Sequence, residues 1–145
     1  MDIDELTQEL RLDECVRLKP YTDTVGKLTI GIGRNLDDRG ISDDEADYML
    51  ANDIRMVEAE LNRNAPWWTD LPELAQRGLA NMCFNLGWPR LSGFRNMLQA
   101  LQNGDYSRAA DEALDSRWAR QVGARAERIA TQYRQSAGDS GTVGV

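Results

Sequence analysis

Glu14 and Asp23 are two carboxylates with eight residues between them, and Thr29 follows on a segment that alternates apolar and small side chains. The stretch reads Leu12-Asp13-Glu14-Cys15-Val16-Arg17, then Leu18-Lys19-Pro20-Tyr21-Thr22-Asp23-Thr24, then Val25-Gly26-Lys27-Leu28-Thr29-Ile30-Gly31-Ile32-Gly33. Cleavage of a glycosidic bond needs such a pair: one acid protonates the leaving oxygen, and the other carboxylate activates water. Set apart by one passage from helix end to strand, the two can face each other across a cleft. An acid at the C-terminal end of a helix also opposes the helix dipole, so Glu14 needs a reason to be there. Read from these residues alone, the stretch is a candidate glycosidase site.

Composition narrows the alternatives. Histidine is absent from the 145 residues, and Cys15 and Cys83 are the only cysteines. Without histidine there is no Ser-His-Asp or Cys-His catalytic group. Two cysteines and no histidine make a zinc or other transition-metal site a poor expectation, and no cofactor is expected. Cys15 has no base to activate it and is read as a small buried spacer. Gly31-x-Gly33 is not a dinucleotide fingerprint, because Leu36 stands where a third glycine is required. Carboxylates, hydroxyls, lysine or arginine must do any catalysis.

The net charge of −7 argues against nucleic acid as the main partner. It is unevenly spread: residues 1–60 hold 16 acids and 7 bases, residues 61–145 hold 8 acids and 10 bases. Arg117 to Arg134 carries five arginines against the single acid Glu127, and reads as a solvated helix face rather than a membrane or polymer contact. No run of about 18 apolar residues is present, so no membrane insertion is expected. The acidic start, Met1-Asp2-Ile3-Asp4-Glu5, has none of the features of an export signal. The two cysteines are therefore read as free thiols, and the chain as a monomer.

The elements that must position these residues follow from periodicity. Ile3, Leu6 and Leu10 form a helical stripe ending near Asp13. Leu28, Ile30 and Ile32 alternate with Thr29, Gly31 and Gly33, with a hairpin turn at Val25-Gly26-Lys27. The isoleucine side is expected to pack inward and the Thr-Gly-Gly side to leave room for a ligand. Ser42-Asp43-Asp44-Glu45 is a capping box, with Ser42 as N-cap. From there Ala46, Met49, Leu50, Ile54, Val57 and Leu61 predict a helix of about five turns over 42–62. Further stripes run through Ala75 to Leu86, Phe94 to Leu101, Tyr106 to Leu114 and Val122 to Tyr133. Trp88 and Trp118 are read as core, and Trp67-Trp68 as packing. The fold class is α+β, mostly helical. A small lobe at about 13–45 is joined by that helix to a helical lobe at about 66–135, which also takes the helix over 2–13. The tail over 137–145 is small and polar and is expected to be disordered.

On these residues the chain resembles the phage-type, T-even-like lysozymes of glycoside hydrolase family 24, from about residue 6 to 134. The match runs through Leu10-Arg-Leu-Asp-Glu14, Leu18-Lys-Pro-Tyr-Thr-Asp23-Thr and Gly26-Lys-Leu-Thr29-Ile-Gly-Ile-Gly33. It continues through Asn81-Met-Cys-Phe84-Asn-Leu-Gly87, Gly93-Phe94 and Ser116-Arg117-Trp118. The resemblance implies a single two-lobed lysozyme-like domain. It also implies a muramidase that cleaves the β-1,4 bond between N-acetylmuramic acid and N-acetylglucosamine in bacterial peptidoglycan. Glu14 would be the general acid, Asp23 the base, and Thr29 the residue that holds the water. The family inverts the anomeric carbon, which matches carboxyls about 6.5–9.5 Å apart with water between them. A proton donor working near neutral pH also calls for a partly desolvated site around Glu14.

The same resemblance places substrate contacts at Gly33, Asn35, Phe84, Met97 and Glu112, although Asn35, Met97 and Glu112 differ in type from the family's residues. It places Arg125 where an arginine reaches the catalytic glutamate. It implies an Arg34–Asp53 ion pair, where the best-known member pairs a histidine with an aspartate. The connection over 36–41 is short and lacks a helix of the larger members. The acidic total departs from the basic charge of well-studied members, so anionic wall polymers should repel the chain and salt should relieve that. The implied biology is an endolysin held in the host cytoplasm, reaching the wall through a separate membrane-lesion protein. Two other readings stay open: a lytic transglycosylase, which needs only one acid, and a non-hydrolytic wall-binding module. Asp23 and Thr29 have work to do only if water attacks.

Overall fold

The structure is a computed structural model that describes residues 1–143, with side chains as far as Gly138. It comprises two compact units, Met1–Met49 and Leu50–Val145.

The N-terminal unit opens with α1, Ile3–Glu14. Asp2 caps it by accepting from the Glu5 N–H at 3.0 Å, and Asp4 and Glu5 suit the positive end of the dipole. The helix stops at Cys15, whose φ of 60° and ψ of 159° cannot continue it. Three antiparallel strands follow in the order β1 (Arg17–Thr22), β2 (Leu28–Gly31) and β3 (Arg34–Asn35). The β1–β2 register is irregular between Arg17 and Tyr21. Pro20 lies in that interval and has no N–H to give the ladder, which an edge strand tolerates. The Arg17 guanidinium sits 4.4 Å from the centre of the Tyr21 ring, a cation–π contact that ties the two ends of β1.

The hairpin turn falls where expected. The Asp23 N–H donates to the Lys27 carbonyl at 2.9 Å, the Gly26 N–H donates to the Asp23 carbonyl at 3.1 Å, and Gly26 takes a φ of 84°. The inward face of β2 is the opposite of the one expected. Thr29 is 3% exposed, whereas Leu28 is 41% and Ile32 39% exposed. Thr29 lies on the middle strand in register with Tyr21 on one side and Asn35 on the other, and these larger neighbours share its face. Alternation marks two faces but does not say which is covered. The short connection after β3 is held by side chains: Asp37 accepts from the Leu28 N–H at 2.7 Å, and Asp38 pairs with Lys27 at 3.2 Å.

Helix α2, Asp43–Asn64, begins at the capping box read from the sequence. The Glu45 N–H donates to Ser42 Oγ at 3.2 Å, and the Ser42 N–H donates back to Glu45 Oε1 at 2.9 Å. Its first residues belong to the N-terminal unit, and the buried Val57 and Leu61 to the second.

The second unit continues with a 3-10 helix, Pro66–Asp70, then α3 (Glu73–Leu86), α4 (Trp88–Leu91), α5 (Arg95–Gln102), α6 (Tyr106–Leu114), α7 (Arg117–Val122) and α8 (Ala124–Val143). Helix α8 packs on α3 and α6, and α5 packs on α6. Ala109, Ala110 and Ala113 on α6 and Ala126 and Ala130 on α8 are all buried, and their small side chains let the backbones approach. Leu79, Met82, Leu101, Ile129 and Tyr133 fill the centre. Trp68 and Trp118 are buried, and their indole N–H groups donate to Asn62 and Asn85, each at 2.7 Å, while Trp67 and Trp88, the latter read as core, are half-buried against it. Phe94 meets Trp118 edge to face at 6.0 Å. No helix among the described residues is long and apolar enough to cross a membrane. Ala137 and Gly138, which the sequence reading gave to a disordered tail, lie in α8; the rest of that tail falls outside the described side chains.

Candidate active site

Glu14, Asp23, Thr29, Gly33 and Asn35 all belong to the N-terminal unit, on the end of α1 and the small sheet. Glu14 is the last residue of α1 and is exposed. Within this unit its carboxylate has no hydrogen-bond or ion-pair partner. The partial desolvation expected around it is not built from the residues of this unit. What it meets instead is backbone: a Cβ placed on Gly33 would lie 2.7 Å from Glu14 Oε2 and 2.9 Å from its carboxyl carbon. Gly33 has a φ of 69°. The residue expected to touch sugar therefore lies against the proposed acid.

Asp23 is fixed by the turn it opens. Its Oδ1 accepts from the N–H groups of Val25 at 3.0 Å and Lys27 at 2.8 Å. Within the unit Oδ2 has no partner. Aspartate suits this position because its short side chain reaches the backbone two and four residues on. Thr29 Oγ1 donates to the Lys27 carbonyl at 3.0 Å, so its proton is spoken for and its lone pairs are not. Lys27 thus links the two residues, giving its N–H to Asp23 and its carbonyl to Thr29. Asn35 is committed locally: it accepts from the Asp38 N–H and donates to Asp38 Oδ2, both at 3.0 Å.

Within the N-terminal unit, Arg34 is engaged by Glu45. Arg34 donates from Nη1 and Nη2 to the two carboxylate oxygens of Glu45, each at 2.7 Å, and Nη1 also reaches the Gly40 carbonyl at 3.2 Å. Glu45 lies on the first turn of α2, directly after the short connection that ends in Gly40 and Ile41. The flat guanidinium fork matches both oxygens at once. This contact, with the Ser42 N–H behind it, holds the Glu45 carboxyl down at about 2, and it raises Arg34 further.

Phe84, Met97, Glu112 and Arg125 belong to the second unit. Phe84 is 45% exposed on α3 and borders a groove of about 490 Å³ with Leu50, Ile54, Val57 and Arg125. Arg125 donates from Nε to Asn81 Oδ1 at 2.9 Å. The motif containing Asn81 drew attention in the sequence, but nothing there pairs it with a residue 44 positions on. Met97 and Glu112 come together beside a second groove, of about 370 Å³, with Phe94 and Ser116. Met97 is 1% exposed and belongs to the core, while Glu112 lies 3.9 Å from Arg108.

Cys15 corrects another expectation: it is exposed rather than buried. Its φ of 60° is the only positive φ at a non-glycine residue among the described residues. Cys83 is buried, and burial, with Glu60 adding to it, pushes its thiol up to about 11. Both cysteines are free thiols.

Compared with known proteins, the sequence matches the family model described as phage lysozyme over residues 12–137, a span that includes Glu14, Asp23 and Thr29. The chain belongs to the phage lysozyme family. It is a lysozyme-type glycoside hydrolase with the α+β architecture described above. It is 28% identical to the pre-baseplate central spike protein Gp5 of Enterobacteria phage T4, across 86% of this chain. That match covers 26% of the spike protein, so the chain spans about a quarter of that relative's length. It is 24% identical to probable T4-type lysozyme 2 of Dictyostelium discoideum, across 90% of this chain and 94% of the relative. It is 23% identical to probable T4-type lysozyme 1 of the same organism, across 88% and 92%.

Proposed function

We propose that this phage lysozyme family member is a muramidase that hydrolyses the β-1,4 bond between N-acetylmuramic acid and N-acetylglucosamine in bacterial peptidoglycan, with inversion. Glu14 protonates the leaving oxygen, Asp23 takes a proton from water, and Thr29 holds that water. Asp23 carries the reading. Two backbone N–H groups hold one of its oxygens, and the other is left to accept a proton from water. Lys27, whose N–H Asp23 accepts, also takes the Thr29 hydroxyl proton at its carbonyl, so the Thr29 lone pairs remain to accept from a water. Within its own unit Glu14 is exposed, and bound sugar would exclude water from it.

Asp23→Asn tests this directly, because the amide oxygen still accepts the turn's N–H groups while the base is gone. The expected result is a loss of wall hydrolysis of at least about 100-fold with the fold intact by circular dichroism. Full activity in Asp23→Asn, or in the blunter Asp23→Ala, rejects the role.

The biological setting we propose is that of an endolysin in host cell lysis, held in the host cytoplasm and admitted to the wall by a separate membrane-lesion protein. Family membership supports it. Expressed in the bacterial cytoplasm, the protein should leave cells intact until the inner membrane is permeabilised, and then clear the culture. Lysis without permeabilisation contradicts that setting.

A further inference from the structure

We propose that Gly33 is the positioning residue for the Glu14 carboxyl, a role that deepens the hydrolytic reading and rests on it. Glu14 ends its helix with a flexible side chain, and within its unit no hydrogen bond or ion pair fixes the carboxylate. Within that unit, the surface that limits where the carboxylate goes is the Gly33 backbone, close enough that a Cβ would sit 2.7 Å from Oε2 and 3.2 Å from Cγ.

That surface cannot retreat. The next residue, Arg34, pairs with Ile30 in the β2–β3 ladder and is locked to Glu45 and the Gly40 carbonyl. A side chain at position 33 is therefore accommodated by moving Glu14, the flexible partner. The displacement costs little stability and displaces the proton donor, and a misplacement of about 1 Å costs on the order of 100-fold in rate. Gly33 acts through Glu14 and not by touching sugar.

Gly40, away from the site, supplies the control. Its φ of 62° is close to the 69° of Gly33, but a Cβ there meets nothing within 4 Å. Gly40→Ala and Gly33→Ala therefore both put a side chain at a positive φ, and only the second meets Glu14. The expected result is that both variants fold. Gly40→Ala keeps its activity, while Gly33→Ala loses about 100-fold in kcat with KM within about threefold, and the limb of the pH profile that reports the acid moves. Equal activity in the two variants overturns the proposal, since strain alone then accounts for both. A loss confined to KM, with an unchanged pH profile, also overturns it and returns Gly33 to the sugar contacts.

A measurement on the unaltered chain covers the case in which Gly33→Ala does not fold. Magnetisation transfer between the Gly33 Hα and Glu14 Hγ protons should be observed in solution, and its absence overturns the contact. If the native chain does not cleave peptidoglycan, the hydrolytic reading falls, while the proton contact still tests the geometry on its own.

Discussion

Arg34 and Glu45 meet as a fork, with two guanidinium nitrogens each 2.7 Å from a different carboxylate oxygen. The pair joins the first residue of β3 to the first turn of α2, across a connection that would otherwise be held only by backbone turns and the Asp37 and Asp38 side chains. It also fixes the residue next to Gly33. The contact depresses Glu45 to about 2, from an ordinary value of 4.5. Its contribution to stability is therefore fully present above about 4.5 and is lost as pH falls from there through 2. Glu45→Gln keeps an acceptor for Ser42 but removes the charge. The urea midpoints of the native chain and this variant should differ at pH 7, approach each other below pH 4.5 and coincide only below about 2. A constant difference across that range contradicts the assignment.

Cys15 lies in a backbone region that glycine alone enters without strain, a cost of about 1–3 kcal/mol for other residues. Cys15→Gly should raise stability by about 1 kcal/mol, whereas Cys15→Ala should not, since alanine shares the steric problem. Thermal or urea unfolding of the two variants decides this, and equal stability of the two sinks it.

Gly78 on α3 behaves in the opposite way to an ordinary helical glycine. A Cβ there would sit 2.7 Å from Tyr133 Cε1, and Tyr133 is fully buried, with its hydroxyl against Met82 Sδ at 3.2 Å. Replacing a helix-interior glycine by alanine is ordinarily stabilising by up to about 1 kcal/mol. Gly78→Ala should instead destabilise by about 1–3 kcal/mol, through overpacking between α3 and α8. A variant as stable as the parent would mean that Tyr133 can shift.

The two thiols should separate chemically. Cys15 is exposed, while Cys83 is 1% exposed with its thiol pushed up to about 11. At pH 8 a disulfide reagent should titrate one thiol per native chain quickly and the second only after denaturant is added. Two fast thiols in the native chain would contradict the burial of Cys83.

Much of this was legible in the sequence where chemistry is local. The Ser42–Glu45 capping box, the turn at Gly26 and the stripes of α3, α5 and α6 are each set by residues a few positions apart, and each is present, whereas the stripe from Val122 to Tyr133 is broken at Gly123 between α7 and α8. What was not legible depends on partners brought together by the fold. Glu45 is one of several acids downstream of Arg34, and only the short connection brings it to the guanidinium. Thr29 and Ile30 belong to one alternating pattern, and only the neighbouring strands decide which is covered. Cys15 looks like a small core residue until the helix is seen to end there. Among the proposed site residues, Glu14 and Asp23 stood out by type and spacing, and Thr29 only through the resemblance to the family. The contact between Gly33 and Glu14 spans a helix end and a sheet turn, and the glycine pattern hinted at backbone freedom without naming what lay beside it.

The most direct test of the account is digestion of purified peptidoglycan by the unaltered protein, with the products resolved by mass spectrometry. Attack by water, with Asp23 as base and Thr29 holding the nucleophile, predicts reducing-end muropeptides that have gained one water. Products ending in 1,6-anhydro sugars, lighter by that water, would contradict it and leave Asp23 and Thr29 without a role.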